Sequence, residues 1–249
     1  MNDVTERNFS ARVAYDGTAY AGFQVQPNEP TIQGDLEKAL NKVLGAEIRV
    51  HGASRTDAGV HAAGQVISFK AATLLPAEEI ERAVNAVIAQ DIRIGPVVER
   101  HMDFSARFSA RGKLYKYRIY RGARESVFLS RYSLWVWGEL DLDKMRRTAA
   151  MFRGERDFSS FSPRLYEGEN PVKRLDVVEI CDRVDLLEID VSGSGFLYQM
   201  VRRISAAVIE AGRGDSEPDE TAGWLESPRL GACKYVLPAK GLFLMEVYY

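Results

Sequence analysis

Two cysteines, Cys181 and Cys233, and three histidines, His51, His61 and His101, are the whole supply of thiol and imidazole metal ligands in this 249-residue chain. No C-x-x-C and no H-E-x-x-H spacing links them, so neither structural disulfides nor a metal centre is expected. Also missing is any apolar run long enough to span a bilayer. The opening Met1-Asn-Asp-Val-Thr-Glu-Arg-Asn8 lacks the apolar core of a signal peptide, and the expected location is the cytoplasm. Ser192-Gly-Ser-Gly195 has neither the Lys and Ser or Thr of a phosphate loop nor the complete G-x-G-x-x-G, which leaves a flexible turn into a helix rather than a nucleotide cradle. What is present fits a soluble globular protein: 46% of residues are hydrophobic and 27% charged, and the length suits one large domain or two of ordinary size.

A net charge of −2 would argue against nucleic acid if it were spread evenly, and it is not. Between Arg107 and Arg131 stand Arg107, Arg111, Lys113, Lys116, Arg118, Arg121, Arg124 and Arg131 against Glu125 alone, a local charge of +7. Phe108, Tyr115, Tyr117, Tyr120 and Phe128 are interleaved with them. Basic side chains track a phosphate backbone and aromatic rings stack on unpaired bases, so the segment reads as a surface for single-stranded or flipped-out nucleotides. The same pattern suits a strand with one face in the core and solvated Lys and Arg on the other. Strict alternation over residues 114–121 sets Tyr115, Tyr117 and Ile119 against Lys116, Arg118 and Tyr120, which predicts a strand and leaves core and functional roles for Tyr115 equally open.

Periodicity predicts the order β-α-β-β-α-β twice. A strand over 9–16 leads to a helix from Thr31, its N-cap, to Leu44, with Gly45 at the exit. Strands at 47–51 and 65–70, a helix over 76–88 and a strand over 92–98 complete the first set. The second runs through strands at 114–121 and 132–137, a helix over 141–153 capped by Asp141, strands at 172–180 and 184–191, a helix over 196–211 and a strand over 242–248. The expected fold is therefore α+β, with two ferredoxin-like, RRM-like βαββαβ domains at 1–105 and 106–249 and a cleft between them.

The first domain carries Gly52-Ala-Ser-Arg-Thr-Asp-Ala-Gly-Val-His-Ala62, in which small residues open the backbone around Asp57 between two predicted strands. A rigid scaffold with an acid on a small-residue loop is one way to present a catalytic carboxylate. The alternative is an aspartate that caps a turn. Arg55, a cation close by, favours the ionised form. In the helix over 196–211, Leu197, Met200, Val201, Ile204, Val208 and Ala211 form an apolar stripe, while Ala206 and Ile209 cover the side that carries Arg202. Either Arg202 is desolvated and needs an anion, for which Asp57 is the candidate, or it snorkels to water past small neighbours.

Arg55-Thr-Asp-Ala-Gly-Val-His61, Arg111-Gly-Lys-Leu-Tyr-Lys-Tyr117, Gly154-Glu-Arg-Asp-Phe-Ser-Ser-Phe161, Met200-Val-Arg202 and Ala239-Lys-Gly-Leu242 resemble, in order and over almost the whole chain, the tRNA pseudouridine synthase A family. Tyr15-Asp-Gly-Thr-Ala-Tyr-Ala-Gly-Phe-Gln24 is similar to the family's opening strand and loop. Two stretches depart from the usual pattern: Asn85-Ala-Val-Ile-Ala-Gln-Asp91, and Tyr198-Gln199 where the family has histidines.

The resemblance implies isomerisation of uridine to pseudouridine at positions 38 to 40 in the anticodon arm of tRNA. It makes Asp57 the essential carboxylate, places Tyr115 on the target uracil, pairs Arg202 with Asp57 and gives Arg55 a part in holding the extruded nucleotide. It further implies two RNA-binding-like domains sharing a mostly antiparallel sheet, a homodimer, and neither cofactor nor metal. In such a reaction the base leaves C1′ of the ribose through N1, turns, and rejoins through C5, so it must be out of the stack and confined. Asp57 serves either as a nucleophile on the sugar or as a base at C2′. Two other classes fit parts of the sequence. A non-catalytic tandem RNA-recognition protein would lack its K/R-G-F/Y-G/A-F-V-x-F/Y signature, and a nucleoside glycosidase would use two carboxylates such as Asp57 and Asp16.

Overall fold

The computed structural model describes residues 5–249. Residues 1–4, part of the opening stretch read above for a signal peptide, lie outside the described residues. The protein is a mixed α+β fold whose strands pair mostly antiparallel, with five α-helices among the described residues. Two compact units divide the chain, Met1–Arg111 with Leu244–Tyr249, and Gly112–Phe243.

In the first unit the order is β1 (Glu6–Tyr15), α1 (Ile32–Leu44), β2 (Val50–Gly52), β3 (His61–Ala72), α2 (Ala77–Val87) and β4 (Ile92–Arg100). Antiparallel pairing of β1 with both β3 and β4, and of β2 with β3, puts β3 between β1 and β2, the split βαβ arrangement. Thr31 Oγ1 accepts the Gly34 amide at 3.2 Å and starts α1, and the Gly45 amide donates to Asn41 O to close it. Ile32, Leu36 and Leu40 of α1 and Ile80 and Val84 of α2 are buried with Phe9, Val13, Ile67, Phe69 and Ile92 of the sheet. Side chains of this size stabilise the fold by roughly 1.5–3 kcal/mol each on burial.

Asn8 and Ser10 point to the other face of β1, which is covered too. Asn8 Nδ2 donates to the carbonyls of His101 and Phe104 at 2.8 and 2.9 Å, and Ala106 donates its amide to Ser68 Oγ at 3.1 Å. The tyrosine hydroxyl of Tyr249 donates to Ala106 O at 2.8 Å, and the amide of Arg111 donates to Tyr248 O at 2.8 Å. These bonds tie residues 106–111 and the chain end to the strands of the first unit.

The second unit contains β5 (Gly112–Tyr120), β6 (Leu134–Trp135), α3 (Leu142–Met151), β7 (Gly154–Asp157), β8 (Val172–Asp182), β9 (Leu186–Gly193), α4 (Met200–Arg213) and α5 (Pro218–Glu226). Strand β10 (Leu242–Tyr248) follows, its Leu242 and Phe243 counted here. The strand order is β5-β9-β8-β7, antiparallel throughout, with the two-residue β6 parallel to β5. Asp141 Oδ1 accepts the Lys144 amide at 2.9 Å as N-cap of α3. Helix α4 is buried nearly all round, from Met200 and Val201 through Ser205, Ala206 and Ala207 to Ile209. It begins at Met200 rather than 196 because Gln199 adopts a left-handed backbone, φ 59°, which no helix continues through. No helix among the described residues is long and apolar enough to cross a membrane.

Candidate active site

Asp57 stands on the loop between β2 and β3, half-buried, with Arg55 exposed and Thr56 buried beside it. Almost every backbone neighbour is tied down. Gln65, fully buried, accepts the Ser54 amide on Oε1 at 3.1 Å and donates Nε2 to Ser54 O at 2.7 Å, a side chain pairing as a strand would. Thr56 Oγ1 shares a hydrogen bond of 2.8 Å with the Tyr15 hydroxyl, and Thr56 O accepts the Phe23 amide at 3.1 Å. Past the acid, Val60 donates its amide to Asp57 O at 3.1 Å and Gly59 donates to Tyr20 O at 3.3 Å. The carboxylate is thereby presented by a backbone already in place, as a reacting group requires.

His61, 1% exposed, ties this loop to the one after β1: Gly17 donates its amide to His61 Nδ1 at 3.1 Å. An Nδ1 that accepts this bond carries no proton, so its 3.1 Å approach to Asp16 Oδ1 is not an ion pair in that state. Asp16 Oδ1 instead receives the amide and hydroxyl of Thr18 at 2.9 and 2.6 Å. Asp16 thus folds a turn, which weakens the two-carboxylate glycosidase reading. Among the described residues no three His, Cys, Asp or Glu side chains gather in a group able to hold a metal ion.

Tyr115 and Arg202 belong to the second unit. Tyr115 is 6% exposed on the inner face of β5, and its ring meets that of Phe196 edge-on at 5.1 Å. Tyr117, two residues on, is core: its hydroxyl donates to Pro238 O at 2.8 Å, and burial pushes its phenol up against a smaller opposing effect of the Arg202 charge. Arg202 is half-buried, and Nε donates to Leu237 O at 2.7 Å while Leu237 N returns a bond to Arg202 O. The more deeply buried guanidinium is that of Arg203, which donates to the carbonyl of Cys233 and, at 3.3 Å, to Gln199 Oε1. Burial lowers its pKa. Periodicity leaves Arg202 either desolvated or snorkelling; in α4, enclosed on almost every side, both arginines donate to carbonyls of the 233–237 segment.

The basic strand is more committed than its composition suggests. Register sets Lys116 opposite Asp190 and Arg118 opposite Glu188 on β9. Lys116 Nζ lies 2.6 Å from Glu188 Oε2 and 3.4 Å from Asp190 Oδ1, Arg118 Nε lies 3.3 Å from Glu188 Oε1, and Arg121 pairs with Asp182. These cations balance acids across the ladder. Arg107, Arg111 and Arg124 remain exposed, with Phe108 and Phe128 more than four-fifths exposed.

Residues 11–109 and 148–249 match the tRNA pseudouridine synthase family. The chain is 41% identical over 244 residues to a tRNA pseudouridine synthase A of Geotalea uraniireducens, covering 98% of this chain and 100% of that one. It is 37% identical over 243 residues to the protein of that name from Caldicellulosiruptor bescii, with 98% and 100% covered. With the Geobacter sulfurreducens protein of the same name it shares 39% identity over 241 residues, 97% of this chain and 99% of that one. Matched by the family over 11–109 and 148–249 and by relatives over almost its whole length, the chain belongs to the tRNA pseudouridine synthase family.

Proposed function

We propose that this chain converts uridine to pseudouridine at positions 38 to 40 in the anticodon arm of tRNA, with Asp57 as the essential carboxylate. Family membership carries the coarser statement, an isomerase that acts on tRNA uridine. For the finer one, the supporting observation is the loop of residues 52–61. It is anchored by Gln65, Tyr15, Tyr20 and His61 on every side of Asp57, yet leaves that side chain half-buried among small residues.

The roles follow from the chemistry. The uridine leaves the stack, Tyr115 restrains the uracil by its flat ring, and Asp57 acts at the sugar while the base is detached. Arg202 pairs with the carboxylate, and Arg55, exposed beside the acid, helps hold the extruded nucleotide. Action as a cytoplasmic homodimer, with the chain working as two domains divided near residue 105, belongs to the same proposal. Incubating the protein with unmodified tRNA and mapping pseudouridine by base resolution tests it. Pseudouridine at 38 to 40 is expected; modification elsewhere only would refute the site, and release of free uracil would point to a glycosidase.

A further inference from the structure

A platform on the second unit is not used by the chemistry above. The guanidinium carbon of Arg164 lies 4.2 Å from the ring centroid of Tyr198 and 5.1 Å from that of Tyr166, and Arg164 donates Nη2 to the Tyr166 hydroxyl at 3.0 Å. Arg164 is exposed, Tyr166 is 52% exposed, and Tyr198 is half-buried. Among the described residues, Arg164 meets two rings and a phenol rather than a carboxylate, in contrast to Lys116, Arg118 and Arg121 on the basic strand.

The platform is built, not incidental. The fully buried Ser162 hydroxyl lies 2.6 Å from Arg164 O and 3.0 Å from Tyr198 O, so one proton shared between two carbonyls fixes both backbones. Next to Tyr198, the left-handed Gln199 is held by its side chain, whose Oε1 accepts from Arg203 and whose Nε2 donates to the Tyr198 hydroxyl at 3.3 Å. A non-glycine residue kept in that conformation is a feature of sites where geometry is imposed for function. Tyr198 is two residues from Phe196, whose ring meets that of Tyr115, and four before Arg202, so the chain itself keeps the platform within a few residues of the ring assigned to the target uracil.

We propose that Arg164, Tyr166 and Tyr198 form a stacking site for an unpaired nucleobase of the substrate RNA next to the target uridine. This rests on the RNA-modifying function proposed above. Every base has a π-face, and a guanidinium layered on aromatic rings offers both stacking and cation–π attraction, so the site holds a neighbouring base with little regard to its identity. Extruding one uridine unstacks its neighbours, and the platform gives one of them a replacement surface.

The test uses the full chain and an anticodon stem-loop RNA carrying 2-aminopurine at one or the other nucleotide flanking the target uridine. Fluorescence and pseudouridine formation are read in the same samples. Stacking predicts quenching by the unaltered protein at one flank, retained in Tyr198→Phe and lost in Tyr198→Ala and Arg164→Gln. The two losing variants should bind the RNA about tenfold more weakly, with kcat/KM falling mainly through KM. Arg164→Gln changes an exposed side chain and so separates stacking from folding. Absence of quenching at both flanks, or unaltered binding by both losing variants, would overturn the site and leave an internal brace of the 162–166 segment. Quenching without any pseudouridine would instead refute the function and spare the site.

Discussion

The amide of Gly17 donates to Nδ1 of the buried His61 at 3.1 Å, and a Cβ at position 17 would lie 2.0 Å from the carbonyl oxygen of Val60. One contact thus locks the loop after β1 against the loop that bears Asp57. Gly17→Ala must push the 52–61 backbone away, at an expected cost of about 2–4 kcal/mol. Gly138→Ala is the control, since Gly138 has φ +93° with nothing near its Cβ position and should lose only about 1 kcal/mol. Urea unfolding measures both. Residual folded Gly17→Ala protein should show a lower kcat, and similar losses in the two variants would contradict the close approach.

Lys116 sits between Glu188 and Asp190 with a side chain 15% exposed. Burial pushes Glu188 up, but its hydrogen bond to Lys116 and the charges of Lys116, Arg118 and Arg183 outweigh that and hold it below the usual range. Burial raises Asp190, which Lys116 only partly offsets. A depressed acid contributes stability above its unfolded pKa that is lost as pH falls through the folded value, while a raised acid does the reverse. Lys116→Met strands both acids and should cost about 3–5 kcal/mol at pH 7. Protonation relieves both, so the gap from the unaltered protein should narrow toward pH 4; chemical denaturation across that range checks the sign.

Tyr20 is 7% exposed, and burial, then the charges of Asp35, Asp91 and Asp16 together with a hydrogen bond to Asp35, push its phenol up to about 12. The unfolded value is about 10. Stability tied to the neutral phenol is complete below about pH 10 and is lost as pH rises from there to about 12. Tyr20→Phe has no such proton, so its stability should fall less steeply over that interval. An identical slope in the two proteins would contradict the assignment.

Cys233 is fully buried and its thiol is pushed up to about 11, chiefly by burial, while Cys181 is half-buried. The thiolate is the reactive form. In the native protein at pH 8, Ellman's reagent should therefore react with Cys181 alone, and Cys233→Ser should leave that signal unchanged. Unfolding should release the second thiol.

Both helix caps on which the strand–helix order turns, Thr31 and Asp141, were legible because a capping side chain needs only local sequence. The alternation of β5 was legible for the same reason. Other features depend on what lies across the fold. The start of α4 is displaced by the backbone of Gln199, a residue type with no special affinity for that conformation. Helix α5 has a weak pattern, with Thr221 and Leu225 its buried residues, and had no counterpart in the periodicity. The run of cations in residues 107–131 looked like a phosphate surface because the acids that answer Lys116, Arg118 and Arg121 come from β8 and β9, some sixty to seventy residues on. The Asp57 loop was visible as a motif. Its anchoring was not, since the register of β2 on β3 sets Gln65 beside Ser54 and that of β1 on β3 sets His61 beside Gly17.

The most direct measurement compares Asp57→Asn with the unaltered protein on the same tRNA, reading pseudouridine formation and RNA affinity side by side. Asparagine keeps the shape and removes the charge, so the account predicts no detectable pseudouridine with affinity within about a factor of three. An Asp57→Asn protein that still forms pseudouridine at positions 38 to 40 would contradict it.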